Sequence, residues 1–140
     1  MTLNIIPIDR KRAVPPRISE FTRTFWEALA KGEFLVTQCG ACGQKTFPPR
    51  VHCRHCWSRD TRWLAMSGKG TLYSHTHIHA LPGIFESEPG PLHVGIVDLV
   101  EGVRVGLNIH GAVKALDTPV ELVVLAYQDG PLFAARPVDG

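Results

Sequence analysis

Nothing in this 140-residue chain approaches the roughly eighteen consecutive apolar residues that a membrane-spanning helix needs, so no segment reads as a span. The first residues, Met1 to Arg12, have no apolar stretch of the kind that drives secretion, and no secretory leader is expected. Charge of one sign is also scarce. Fifteen Lys and Arg stand against 13 Asp and Glu, a formal net charge of +2. Phosphate contacts supply most nucleic-acid affinity, so this balance argues against nucleic acid as the partner. Recognisable catalytic motifs are missing as well. There is no Gly-x-Ser-x-Gly elbow, no glycine-rich phosphate loop and no pair of carboxylates in a motif. Cysteine is sparing, with only four in the chain, and all four fall in two short pairs.

Those pairs are the most informative feature present. Cys39-Gly40-Ala41-Cys42 and Cys53-Arg54-His55-Cys56 are separated by ten residues. Two Cys-x-x-Cys knuckles supply four thiolates, the ligand set that zinc takes in structural sites. Gly40 and Gly43 loosen the backbone of the first knuckle, and a ten-residue loop suits a compact ribbon. Cys39, Cys42, Cys53 and Cys56 are therefore the expected metal ligands. Iron is the alternative, because it also accepts four sulfurs. Two disulfides would require an oxidising compartment, and a redox Cys-x-x-Cys would stand alone beside a βαβ unit. A catalytic zinc keeps one position open, whereas four thiolates close the shell. The expected role is structural, and the expected location is the cytoplasm.

The rest of the chain reads as one arm, one helix and many strands. Prolines at 7, 15 and 16 keep residues 1–16 extended. The cluster Arg10-Lys11-Arg12 with Arg17 reads as a solvated terminus. Ser19 can cap a helix over 19–31, with Phe21, Phe25 and Leu29 on one face, Trp26 beside them and Gly32 as the stop. That aromatic face either packs on the chain's own core or docks on a partner. Residues 33–38 read as a strand entering the first knuckle, and Phe47-Pro48-Pro49-Arg50 as the tip between knuckles. One or both of Trp57 and Trp63 are expected to pack on the metal module.

Further strands are expected at 61–66, 70–80, 92–100, 103–110, 119–127 and 131–136. Turns fall at Ser67-Gly68-Lys69-Gly70 and Glu101-Gly102, a loop over 82–91 and a short turn near 112–117. So many short strands suggest a small closed barrel, which removes exposed edges. His75, His77 and His79 alternate along one strand and share a face. They could bind a second metal, with His93 and His110 as distant candidates. The plainer reading, which we favour, is an exposed, half-polar strand face. Asp98 reads as the solvent side of a half-buried strand, and no residue reads as catalytic.

The order of motifs resembles one known family. It runs Phe25-Trp26-Glu27, Cys-x-x-Cys, Phe47-Pro48-Pro49-Arg50, Cys-x-x-Cys, Ser67-Gly68-Lys69-Gly70-Thr71-Leu72-Tyr73-Ser74, then Phe133 with Arg136-Pro137. This resembles the DUF thirty-five family of acyl-CoA-associated proteins, over roughly residues 18–137. The resemblance implies a mainly β fold with an N-terminal α-helix, a four-cysteine rubredoxin-like zinc ribbon and a small OB-fold barrel. Its implied divisions are 1–33 for arm and helix, 34–62 for the ribbon and 63–140 for the barrel. It further implies an accessory subunit of a thiolase-like enzyme, working in a hetero-oligomer on acyl-CoA substrates, with catalysis in the partner. His79 matches a position that is commonly His in the family, while His75 and His77 depart from its pattern. The tail departs too, with Phe133-Ala134-Ala135-Arg136-Pro137 in place of a tighter Phe-Arg-Pro. A stand-alone acyl-CoA binding module is the alternative, with Lys69, Arg50 and Arg104 as its cations and Phe47 and Tyr73 as platforms.

Overall fold

A computed structural model of the chain describes residues 2–79, 92–113 and 115–138. The loop expected over 82–91 lies outside the described residues, as does Ala80 at the end of one expected strand. The elements are β1 (Asn4–Pro7), α1 (Arg23–Ala30), β2 (Phe34–Cys39), β3 (Lys45–Thr46), β4 (Thr61–Met66), β5 (Lys69–Ile78), β6 (Leu92–Leu99), β7 (Arg104–Ile109), β8 (Pro119–Tyr127) and β9 (Gly130–Pro137). The strands expected from residue 61 onward are all present, with ends shifted by at most two residues.

The helix is shorter than the expected 19–31, and its start shows why. The Ser19 N–H donates to Thr22 Oγ1 at 2.8 Å, and the Thr22 N–H donates to Ser19 Oγ at 3.1 Å. The two residues satisfy each other in a turn of their own, as short hydroxyl side chains do when they compete with helix bonds. The N-cap is therefore Thr22, and Ser19 closes the preceding turn instead. The other end follows expectation. Gly32 takes φ +92°, its N–H donates to the Leu29 carbonyl and the Glu33 N–H to the Ala28 carbonyl. That is the Schellman pairing, and it needs a residue at ease in the left-handed region.

Two sheets follow. A three-stranded antiparallel sheet in the order β3-β2-β4 carries the first knuckle at the end of β2. In the second sheet, β8-β5-β6-β7-β9 close on themselves through the β8–β9 pairing. The β7–β9 contact is parallel and the other barrel pairs are antiparallel. This five-stranded Greek-key closure is the OB-type barrel that was expected.

The N-terminal arm does more than run extended. β5 covers only Pro119–Glu121 of the nine-residue β8, and β1 lies parallel along Val123–Ala126 beyond it. The arm thus pairs an edge that would otherwise be open. Arg12, expected in solvent, holds the arm down. Its backbone N–H donates to Asp129 Oδ1 at 2.8 Å, and its guanidinium donates to the Asp129 and Pro131 carbonyls. Only 9% of its side chain is exposed. The Arg12 N–H and guanidinium hold the Asp129 carboxyl below its ordinary range.

One continuous core joins helix, ribbon and barrel. Its centre is a cluster of four phenylalanines: Phe25 from α1, Phe34 from β2, Phe47 from the tip between knuckles and Phe133 from β9. All six ring pairs have centroids 5.1–6.0 Å apart, edge-on or tilted. Such pairs add about 0.5–1.5 kcal/mol each beyond the area they bury. Leu29 and Phe25 are buried, so the aromatic face of the helix packs on the chain's own core. Phe21 stacks on Trp63 at 5.1 Å. No helix among the described residues is long and apolar enough to cross a membrane.

Phe34 has no exposed surface, while Trp57 is 76% exposed. Phe34→Ala should therefore lower the unfolding free energy by about 3–5 kcal/mol. Trp57→Ala should change it by less than about 0.5 kcal/mol. Guanidinium denaturation followed by circular dichroism compares the two.

Candidate metal centre

The two knuckles are copies of one backbone turn. In the first, the Cys39 N–H donates to the Gln44 carbonyl and the Gly43 N–H donates back to the Cys39 carbonyl, both at 2.9 Å. In the second, Cys53 with Ser58 and Trp57 with Cys53 repeat both bonds at 2.9 Å. The residue after each second cysteine takes a positive φ, +80° at Gly43 and +64° at Trp57. Glycine enters that region freely. A tryptophan there carries a steric cost of about 1–2 kcal/mol. Trp57 is thus held out of its preferred backbone geometry with its ring in solvent. Of the two tryptophans expected, one or both, on the metal module, Trp57 is exposed, while Trp63 stands on β4 beside Thr37 of β2 and stacks with Phe21, in the turn before α1.

Each turn aims two sulfurs at one point. Backbone N–H groups of Ala41 and Cys42 donate to Cys39 Sγ at 3.3 and 3.4 Å, and the His55 N–H donates to Cys53 Sγ at 3.3 Å. The pairs then meet crosswise. Cys39 Sγ lies 3.5 Å from Cys56 Sγ, and Cys42 Sγ lies 3.5 Å from Cys53 Sγ. All four sulfurs lie within 4.8 Å of one another. A tetrahedral site with metal–sulfur bonds of about 2.3 Å would space its sulfurs by about 3.8 Å. A disulfide would bring two sulfurs to about 2.05 Å, far closer than these. Among the described residues this is the one convergent group of three or more His, Cys, Asp or Glu donors.

The electrostatics divide the four thiols. The Cys42 N–H, helped by the Ala41 N–H and neighbouring thiols, lowers Cys39 to about 6. Cys53 is lowered in the same way, first by the Cys56 N–H and then by the His55 N–H. At Cys42 the Gln44 N–H pulls downward, but burial and the sulfurs of Cys53, Cys56 and Cys39 push it up to about 12. Cys56 feels a downward pull from the Ser58 N–H and is raised on balance by Cys39, burial and Cys53. Cys39 and Cys53 are thus shifted toward the thiolate, Cys42 and Cys56 toward the thiol. A divalent cation at the centre reverses that, because it stabilises all four thiolates together. The donor set therefore fits a thiophilic cation.

The cations named for an acyl-CoA do not converge. Arg50 lines an open cleft of about 670 Å³ with Phe21, Val51, Arg54 and Trp57. Arg104 lines a different cleft, beside Gln44, Lys45 and His55. Its guanidinium is also engaged, donating to both Asp98 oxygens at 2.7 and 3.1 Å and lying 4.0 Å from the Tyr73 ring. Lys69 is exposed at the start of β5 and lines neither cleft. Of the platforms, Phe47 belongs to the core cluster, and Tyr73 is half exposed with Arg104 over one face of its ring. Asp98 sits on the solvent side of β6 as expected, with its carboxyl lowered by the hydrogen bond from Arg104.

The histidines keep their shared face and gain a partner from the next strand. His77 lies opposite His93, with rings stacked at 3.9 Å, and His75 Nδ1 is 2.9 Å from His93 Nε2. Burial, then His77 and His75, hold His93 below the ordinary imidazole range. No spacing rule links residues 75 and 93, so sequence could name His93 but not place it.

Comparison with known proteins agrees with this geometry. The ChsH2 rubredoxin-like zinc ribbon domain matches residues 26–62, and the ChsH2 C-terminal OB-fold domain matches residues 63–125. A DUF35 domain-containing scaffold protein of Methanocaldococcus jannaschii is 36% identical over 118 residues, 82% of this chain and 78% of that protein. The benzoylsuccinyl-CoA thiolase subunit BbsA of Thauera aromatica is 30% identical over 129 residues, 86% of this chain and 85% of that one. A probable enoyl-CoA hydratase alpha subunit of Thermomonospora curvata is 35% identical over 106 residues, 74% of this chain. The match spans only 32% of that longer protein. Among solved structures, a chain of the Ltp2-ChsH2(DUF35) aldolase superposes with a TM-score of 0.77 at 29% identity, covering 88% of this chain and 98% of its own. With both halves matched in order, this chain belongs to the ChsH2 (DUF35) family, in which a rubredoxin-like zinc ribbon precedes an OB-fold domain.

Proposed function

We propose that this chain is a small accessory subunit of a thiolase-like enzyme complex acting on acyl-CoA substrates, with the catalytic residues in the partner. The observation that carries this is the likeness, over most of both chains, to a protein named as a thiolase subunit. The likeness to a chain of an aldolase complex supports it independently. The chemistry of the chain is consistent. Its four thiols converge on one another, and Asp98 is spent on Arg104. For the partner's class we propose a thiolase, as the name of one relative suggests, with a CoA-thioester aldolase or an acyltransferase as the other members of that class. A cytoplasmic location is proposed from the pairing of all four cysteines in one metal-type cluster rather than in disulfide-forming positions.

Within that assembly the metal is a staple. Zinc is the ion we assign to Cys39, Cys42, Cys53 and Cys56, because a closed tetrathiolate is its usual structural shell. The ribbon sheet is too small to be stable by burial alone, and bound zinc contributes on the order of 10 kcal/mol to such folds. The stand-alone acyl-CoA module is less well supported, since Lys69, Arg50 and Arg104 do not share a cleft.

Elemental analysis of the purified chain should give one zinc per chain at the thiolate site, and iron there would show itself by visible colour. Cys39→Ala should lose the metal and the ordered ribbon. Retention of zinc with an unchanged fold would remove the structural role. Co-expression with a thiolase-like protein encoded beside it should yield a complex that survives gel filtration, and Cys39→Ala should abolish it. Failure of the unmodified pair to associate would refute the subunit assignment without touching the metal assignment.

A further inference from the structure

The barrel stops before two of its strands do. β5 leaves β8 after Thr71 and continues with β6 alone as far as Ile78 opposite Leu92. β6 in turn pairs with β7 only from Val94 onward. A two-stranded ribbon therefore extends past the closed barrel. A register shift between Leu72 and Ser74 adds one residue to β5. Without it, His75 and His77 would point away from the face that carries Leu72 and Val97. With it, they stand opposite Gly95 and His93, on the side of the sheet that holds the barrel core. The bulge thus collects His75, His77 and His93 on one face.

From this arrangement we infer a second metal site, unrelated to the thiolates: His75 and His93 form a two-nitrogen chelate for a divalent transition metal. His75 Nδ1 and His93 Nε2 are 2.9 Å apart. With metal–nitrogen bonds of about 2.0–2.1 Å, that separation subtends about 90° at the ion. A tetrahedral ion would need about 3.3 Å. The angle is the one preferred by tetragonal or octahedral ions, and imidazole ligands of that kind suit nickel(II) and copper(II). The metal would replace the proton that the two rings now share. His77, stacked on His93 at 3.9 Å with planes 18° apart, fixes the second ring and is a positioning residue. Water completes the shell. Imidazole nitrogens and thiolates differ in softness, so the two sites select different ions. Bound metal would tie β5 to β6 beyond the last pairing of β5 with β8.

The inference is independent of the subunit assignment and is tested on the full-length chain with its thiolate metal in place. The chain is dialysed against nickel(II) chloride in a non-chelating buffer, and both metals are counted per chain. One nickel should be retained with no loss of thiolate metal. His75→Ala and His93→Ala should each weaken retention by about tenfold or more, the loss of one of two chelating ligands. His79→Ala should leave it unchanged. On the unmodified chain, nickel should broaden the imidazole proton resonances of His75 and His93 before that of His110, which does not depend on any variant folding. No retained nickel, equal retention by the doubly substituted chain, or uptake only at the expense of thiolate metal would each overturn the site.

Discussion

Four phenylalanine rings hold this molecule together, and most of its other features depend on where they meet. Phe25 arrives on the helix, Phe34 on the ribbon sheet, Phe47 from the tip between knuckles and Phe133 on the last barrel strand. The helix and the barrel contribute one ring each and the ribbon two, so the four rings join all three modules. Their edge-on and tilted contacts fix orientation as well as distance, because aromatic quadrupoles disfavour a face-to-face stack. The helix, ribbon and barrel are thereby one packed body. A surface offered by one module is held at a set angle to the others, which is what a subunit that completes a complex requires.

The thiolate cluster and the aromatic cluster divide the work within the ribbon. Phe34 sits at the inner end of β2, where burial is complete, and Cys39 ends the same strand at the first knuckle. Apolar packing supports the first end. At the second there is too little apolar material, and four converging sulfurs take over. Their unequal proton affinities express the same constraint. Trp57 marks the far side of the module, exposed and held at a backbone angle that glycine occupies in the companion knuckle.

Much of this was legible locally. The cysteine spacing named the four sulfurs that converge, Gly32 marked the helix end, and alternation of apolar residues located the barrel strands to within two residues. What failed had a common cause. Ser19 was read as a cap because its neighbours along the chain allow it, but Thr22 competes for its hydroxyl. Arg12 was read as solvated because its sequence neighbours are charged, but Asp129 and Pro131 come from the other end of the chain. Of the two tryptophans flanking the module, Trp57 faces outward although it directly follows Cys56.

By itself the sequence determined the pieces: two paired-cysteine knuckles, an amphipathic helix, a set of alternating strands and a near-even charge balance. These are short-range properties, set by spacing, periodicity and local backbone preference. Only the tertiary structure decided which pieces share a core, that the arm completes the edge of β8, and that a one-residue bulge in β5 swings His75 and His77 to the side of His93. Those outcomes depend on register and on contacts between residues far apart in the chain. A one-residue shift reverses every side chain beyond it, and no local pattern records where that shift falls.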